Sequence, residues 1–411
     1  MTWSTRPRLA LTASLVPLVV AALPGAAGAV TTCNGLAATV TGDDTPNLLV
    51  GGPGADVIVG LGGDDRLIGG GGDDTICGGE GDDLLVGKGG DDYLDGEGGT
   101  DTTSYASAPA AATVDLAQGT ATGGHGSDTL VSIESVIGTA HDDWLYGDPG
   151  SNRLAGGPGD DHFNGRDGDD VILGGSGRDK LVGGQGWDIL DGMAGSDVTY
   201  YGPSPSSVTV DLSIGVATGG QGIDVLIRIE RATGSHYDDV LIGSGGANSL
   251  LGGPGNDLLI GRGGDDLIGG GGGDDRVSGG LGDDVLQGGD GADHLEGGPG
   301  DDHLDGRRGT DTAHYGRSPS GVTIDLTLGT ASGGSGLDSL ALIENARGSS
   351  HADEISGDDA ANLLEGRGGD DTLAGRGGDD TLWGGPGDDY ADGGSGDGDA
   401  CAAETKVACE V

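Results

Sequence analysis

The sequence predicts an all-β fold: a solenoid of nine-residue repeats, two per turn, arranged in four blocks. Three observations carry this. Glycine fills 95 of 411 positions, while aromatic residues make up only 3%. Asp and Glu number 68 against 19 Lys and Arg, a formal charge of −49. Gly, Asp and branched aliphatic residues recur in a fixed nine-residue frame. An ordinary globular core is excluded, because large apolar side chains are too few to fill one. Collagen is excluded, because Gly does not recur every third residue. Nucleic acid is excluded as a partner, because two polyanions repel and the sequence has no basic patch.

Residues 1–29 read as a secretory signal peptide. Arg6 and Arg8 open it, Leu9 to Leu23 is mostly apolar, and Ala27-Gly28-Ala29 predicts cleavage after Ala29. The expected destination is secreted and extracellular. The apolar run is too short for a membrane span and is broken by Pro17, and no other segment could span a membrane. Residues 30–41 read as an N-terminal cap and 402–411 as a C-terminal disulfide tail.

Between them lie repeat blocks 42–104, 138–200, 234–314 and 348–401, with 7, 7, 9 and 6 copies. The spacers 105–137, 201–233 and 315–347 are copies of one another, and each contains one further nonapeptide. Position 1 is Gly in all 32 copies. Position 6 is Asp in 27, Asn in four and Gly398 in the last. Each spacer divides into 18, 9 and 6 residues, and the 18-residue part fits one calcium-free turn of the same solenoid.

Gly at positions 1 and 4 permits positive φ and close backbone approach, so the first six residues form a tight turn. The last three residues form a short strand. Position 8 then faces one way, while positions 7 and 9 face the other. Apolar position 8 (Ile58, Leu67, Ile76, Leu85, Leu94) is the buried one; Arg66, Thr75, Cys77 and Tyr93 are exterior. A unit of nine cannot bury its face alone and must stack.

The pattern GGxGxDxUx, as in GLGGDDRLI and GGEGDDLLV, resembles the RTX, or haemolysin-type, calcium-binding nonapeptide over about nine-tenths of the chain beyond residue 29. The resemblance implies a parallel β-roll that folds on calcium outside the cell. The whole is similar to stand-alone secreted bacterial RTX-repeat proteins. It departs from exported toxins of the family, which lack a cleaved N-terminal signal.

With two repeats per turn, residues 18 apart stack about 4.8 Å apart, so Asp56 lies over Asp74 and Asp65 over Asp83. Paired carboxylates with turn carbonyls make an all-oxygen cage that suits Ca2+ better than Mg2+, zinc or copper. The expected ligands are the position 6 residues. In the first block and spacer these are Asp56, Asp65, Asp74, Asp83, Asp92, Asp101 and Asp128. In the second they are Asp143, Asp161, Asp170, Asp179, Asp188, Asp197 and Asp224. In the third they are Asp239, Asp257, Asp266, Asp275, Asp284, Asp293, Asp302, Asp311 and Asp338. In the fourth they are Asp353, Asp371, Asp380 and Asp389. Together they predict roughly 10–20 bound Ca2+ ions.

Asn47, Asn152, Asn248 and Asn362 read as weaker sites or end turns, and Asp101, Asp197 and Asp311 as block ends that lack a partner turn. Asp64, Asp73 and Asp82 at position 5 read as surface charge. Glu134, Glu230 and Glu344 supply either a junction ligand or a cap, and His141, His236 and His351 cap or pack. Four Cys allow three connectivities; Cys33–Cys77 with Cys401–Cys409 is favoured because the second pair closes a short loop.

No HExxH motif occurs, and no GxSxG stands on a strand-to-helix turn, so the chain reads as non-enzymatic. The expected function is a secreted calcium-binding repeat protein with a structural or binding role. Two alternatives stand beside it. One is a calcium-stiffened adhesin in contact with cell-surface or extracellular polysaccharide. The other is a polysaccharide epimerase or lyase built on the roll.

Overall fold

The computed structural model describes residues 30–334 and 336–409; the signal peptide expected at 1–29 lies outside the described residues. The described residues form strands and turns with no helix, and therefore none long and apolar enough to cross a membrane. The chain divides into two compact units, one ending at Ala140 and the other beginning at His141.

In the first unit, strands 18 residues apart pair in parallel. Ile58 lies in register with Ile76, and Ile76 with Leu94. On the facing sheet Leu49 pairs with Leu67, and Leu67 with Leu85. Consecutive nonapeptides therefore alternate between two sheets, as two repeats per turn require. Ile58, Leu67, Ile76, Leu85 and Leu94 are all 0% exposed. Burying each contributes roughly 1.5–3 kcal/mol, so the core is a thin double ladder of position 8 side chains. The expected β-roll and its buried position are both present.

The glycines divide their work differently from the expectation. Position 4 does take positive φ: Gly72 has φ 97° and Gly81 φ 131°. Only the spacer copies of position 1 do so (Gly123, Gly219 and Gly333, at φ 147°, 153° and 148°); position 1 within the blocks does not. Its Gly is required because a Cβ on Gly69, for example, would collide with the Asp74 carboxylate. Position 2 is the other left-handed site, and it accepts Leu61 and Lys88 at φ 81° and 73°.

The N-terminal segment folds over the first turns. Thr32–Cys33 and Leu36–Ala37 pair antiparallel, and Val40 joins the stack beside Ile58. The sulfurs of Cys33 and Cys77 lie 2.00 Å apart beside buried Val59. Cys77, expected at an exterior position, is therefore covered. Cys401 and Cys409 lie 1.93 Å apart at the other end of the chain.

The second unit repeats this architecture through two spacers. On one sheet Leu145, Phe163 and Leu181 stack in register; on the other, Leu154, Ile172 and Leu190. Beyond the spacer at 201–233 the ladder Leu241, Leu259, Val277, Leu295 continues in the same way.

The spacers correct the sequence reading. They are not simple parallel turns. Val208–Asp211 and Val216–Gly219 form an antiparallel hairpin, and Val216–Gly219 runs antiparallel to Gly222–Ile227 as well. Gly222–Ile227 then rejoins the parallel stack beside Ile189–Gly195. The reversal is local. Gly215 takes φ 68°, and the Asp211 carboxylate accepts from the Ser213 N–H at 2.9 Å. The spacers at 105–137 and 315–347 form the same meander. Each places three strands in one sheet while the facing sheet gains one, as where Val198–Tyr200 pairs directly with Arg231–Thr233. In the second unit the two meanders lie in opposite sheets. The nine nonapeptides between them explain this, because an odd number begins and ends on the same sheet.

Candidate metal centre

The position 6 carboxylates form ladders along the stack. In each step the N–H of one Asp donates to Oδ1 of the Asp one turn ahead. Asp56 donates to Asp74 at 2.8 Å, and Asp74 to Asp92 at 2.8 Å. Asp65 donates to Asp83 at 2.7 Å, and Asp83 to Asp101 at 2.8 Å. The longest run passes from Asp239 through Asp257, Asp275 and Asp293 to Asp311. One oxygen of each carboxylate is thereby committed to backbone.

The second oxygen is not. Oδ2 is buried and without a hydrogen-bond partner in Asp65, Asp74, Asp83, Asp92 and Asp101. The same holds for Asp161, Asp170, Asp179, Asp188 and Asp197. It holds again for Asp257, Asp266, Asp275, Asp284, Asp293, Asp302 and Asp311, and for Asp371, Asp380, Asp389 and Asp399. A buried orphan carboxylate oxygen costs several kcal/mol unless a cation or proton meets it. Each faces the bare Cα of a position 1 Gly. The point where Gly78 would carry a Cβ lies against Asp83 Oδ2 and 2.8 Å from the Gly96 carbonyl oxygen. Gly69, Gly156 and Gly366 show the same convergence of a carboxylate with a carbonyl from the next turn, again at 2.8 Å. The donor set is all oxygen, anionic and buried, and it fits a hard divalent cation.

The electrostatics agree. Burial, with neighbouring carboxylates adding to it, pushes the carboxyls of Asp92, Asp188, Asp275 and Asp302 up to about 7. Those of Asp65, Asp74, Asp170 and Asp257 rise to about 6. The hydrogen bond from the preceding turn opposes this shift and is outweighed. The position 5 carboxylates are exposed and reach the other way: Asp64 accepts from the Asp82 N–H at 3.1 Å, and Asp73 from the Asp91 N–H at 2.9 Å.

Seven expected ligands differ from the rest. Tyr105 donates its hydroxyl to Asp128 Oδ2 at 2.8 Å, and Tyr201 to Asp224 Oδ2 at 2.7 Å. Tyr315 lies beside Asp338; burial, and then the Asp338 charge, push its hydroxyl pKa up. Asp239 and Asp353 receive the backbone and hydroxyl of Ser235 and Ser349. Asp56 accepts from the Gly52 N–H at 2.6 Å and from Thr39 at 3.1 Å. Asp143 also has partners. All seven lie at block starts or in spacers.

Asp101, Asp197 and Asp311 do have a partner, contrary to the sequence reading. Their N–H groups donate to the carboxylates of Glu134, Glu230 and Glu344 at 2.8, 3.0 and 2.8 Å. Glu404 does the same for Asp389 at 2.9 Å. These Glu residues therefore cap ladders. His236 donates its Nδ1–H to the Gly202 carbonyl at 3.0 Å and packs against the chain, as expected of a cap. One converging group of Cys and acids is found among the described residues, Cys77 with Asp95 and Glu97, but the Cys77 sulfur faces Cys33.

One ladder residue escaped the nine-residue frame. Asp399, not Gly398, fills the last slot: Asp380 donates to its Oδ1 at 2.9 Å across 19 residues. A single inserted residue in Asp397-Gly398-Asp399 shifts the register, and Leu382 pairs with Cys401 accordingly.

A search of curated proteins finds no match. A family model for the RTX calcium-binding nonapeptide repeat (4 copies) matches residues 41–76, 78–104, 137–172, 164–198, 233–268, 242–277, 251–286, 278–313, 347–382 and 365–399. These matches cover more than half of the chain and coincide with the carboxylate ladders. The chain belongs to the RTX calcium-binding nonapeptide repeat family.

Proposed function

We propose that this is an exported repeat protein that folds on Ca2+ and serves a structural or binding role without catalysis. The carrying observation is the set of buried, orphaned Oδ2 atoms repeated within each unit, from Asp65 to Asp101 in the first and from Asp161 to Asp399 in the second. The residues that would hold Ca2+ are those whose Oδ2 is orphaned, together with the turn carbonyls that converge on the position 1 Gly. The ion supplies positive charge and a hard Lewis acid. The chain's own part is to hold one carboxylate oxygen by backbone and aim the other. Asp56, Asp128, Asp143, Asp224, Asp239, Asp338 and Asp353 instead meet partners within the protein.

Coupling of folding to calcium follows from the charge. Without a cation the ladders bury many carboxylates side by side, and the position 8 core is too thin to offset that cost. At free calcium tenfold above Kd, each site contributes about 1.4 kcal/mol. Export is supported by the apolar segment and small-residue cleavage pattern before Val30, and by sulfur pairs poised for disulfides in an oxidising compartment.

Calcium titration followed by circular dichroism, with a magnesium control, tests this reading. The β signal is expected to appear with calcium and to be lost with chelator. An equal signal in both overturns coupled folding.

A further inference from the structure

The sequence shows no basic patch, yet the fold gathers one. On the outer face of one sheet in the second unit, parallel strands Arg276–Leu281, His294–Glu296, Thr312–His314 and Asn345–Arg347 lie side by side. Arg276 is in register with His294, and His314 with Arg347. Arg317 reaches in from the spacer that follows. These side chains, with Leu258, line a cleft of about 390 Å³.

Like charges opposed across neighbouring strands destabilise a sheet. Two carboxylates answer part of the charge: Glu296 pairs with Arg317 at 3.3 Å, and Glu365 with Arg347 at 2.9 Å. Arg276 has no acidic partner among the described residues. Arg347 Nη1 lies 3.4 Å from His314 Nε2, so a cation already occupies the neutral ring's acceptor side. In a chain with 68 acids and 19 Lys and Arg, three Arg against one carboxylate, Glu296, around one cleft reverse the local charge.

We propose that this cleft binds the oxyanion group of a ligand, a carboxylate or a sulfate ester, with Arg276 and Arg317 as its principal contacts. Guanidinium forks match planar carboxylates and sulfate oxygens in a bidentate manner. Leu258, 38% exposed, offers an apolar wall to the body that carries the anion. Burial, and then the positive charges of Arg347, Arg367 and Arg317, hold His314 down at about 4, so the ring stays neutral beside the guanidinium groups. The inference does not depend on which ladder residues bind calcium.

The test uses the full chain in millimolar calcium at low ionic strength. The ring signals of His314, assigned with His314→Asn, are followed by NMR as sodium sulfate, sodium glucuronate or glucose is added. Saturable shifts are expected with sulfate or glucuronate and none with glucose. Tighter binding of sulfate identifies a sulfate ester as the ligand group, and tighter binding of glucuronate a carboxylate. The double variant Arg276→Gln, Arg317→Gln should bind roughly tenfold more weakly, with unchanged circular dichroism. Arg178→Gln, on an exposed turn of the second block, should bind as the parent does. Shifts that never saturate, equal binding by the double variant, or equal response to glucose overturn the proposal.

Discussion

The main-chain carbonyl of Glu230 accepts a hydrogen bond from the side-chain amide of Asn248 at 3.0 Å. The carboxylate of the same Glu accepts from the Asp197 N–H at 3.0 Å. One residue thus closes the ladder below and seats the ladder above. Glu344 repeats this with Asp311 at 2.8 Å and Asn362 at 2.7 Å. Asn replaces Asp at these positions because the neighbour presents a carbonyl, and only an amide can donate to it.

Asn248→Asp is therefore expected to destabilise, although it restores the repeat's own consensus. It sets a carboxylate against the Glu230 carbonyl and removes a donor. The loss should be about 1–3 kcal/mol, read by calcium-dependent thermal unfolding. Faster amide exchange near Ser249, whose N–H also donates to Glu230, should accompany it. A variant that melts higher and takes up another ion would contradict this role.

Tyrosine-capped carboxylates should not count as calcium ligands. Asp188→Asn removes the charge of an orphaned Oδ2 and should lower the calcium count by about one. Asp224→Asn alters a carboxylate that Tyr201 already satisfies and should leave the count unchanged. Equilibrium dialysis with atomic emission measures both. Equal losses would mean that the spacer turn binds calcium after all.

Acid should substitute in part for calcium. The ladder carboxyls rise in the folded, calcium-free chain to about 6 in Asp65 and about 7 in Asp92, against 3.8. The folded state then holds protons that the unfolded state has released. Its stability is fullest below that lower value and falls as pH rises toward about 7. With chelator present, the β signal should be larger near about pH 5 than near about pH 8. With calcium, protons compete for the same oxygens, so affinity should weaken as pH falls below the same window. A calcium-free signal that grows with pH would reverse the assigned sign.

Much of this was legible in the amino-acid order alone. The nine-residue period, the buried position 8 and the ladder of position 6 Asp all express contacts between residues 18 apart, and a repeating contact leaves a repeating sequence. Tertiary structure decided what falls outside that period. Tyr201 reaches Asp224 across 23 residues, and Glu230 reaches Asp197 across 33. An inserted residue carries Asp399 into the last slot, and the spacer chain reverses at Gly215. Arg276 and Arg347 meet over one cleft because intervening strands fold between them. Composition and spacing encode the local, repeated energetics of stacking. Which carboxylates stay unsatisfied, and where positive charge collects in an acidic chain, depends on distances that exist only once the strands are stacked.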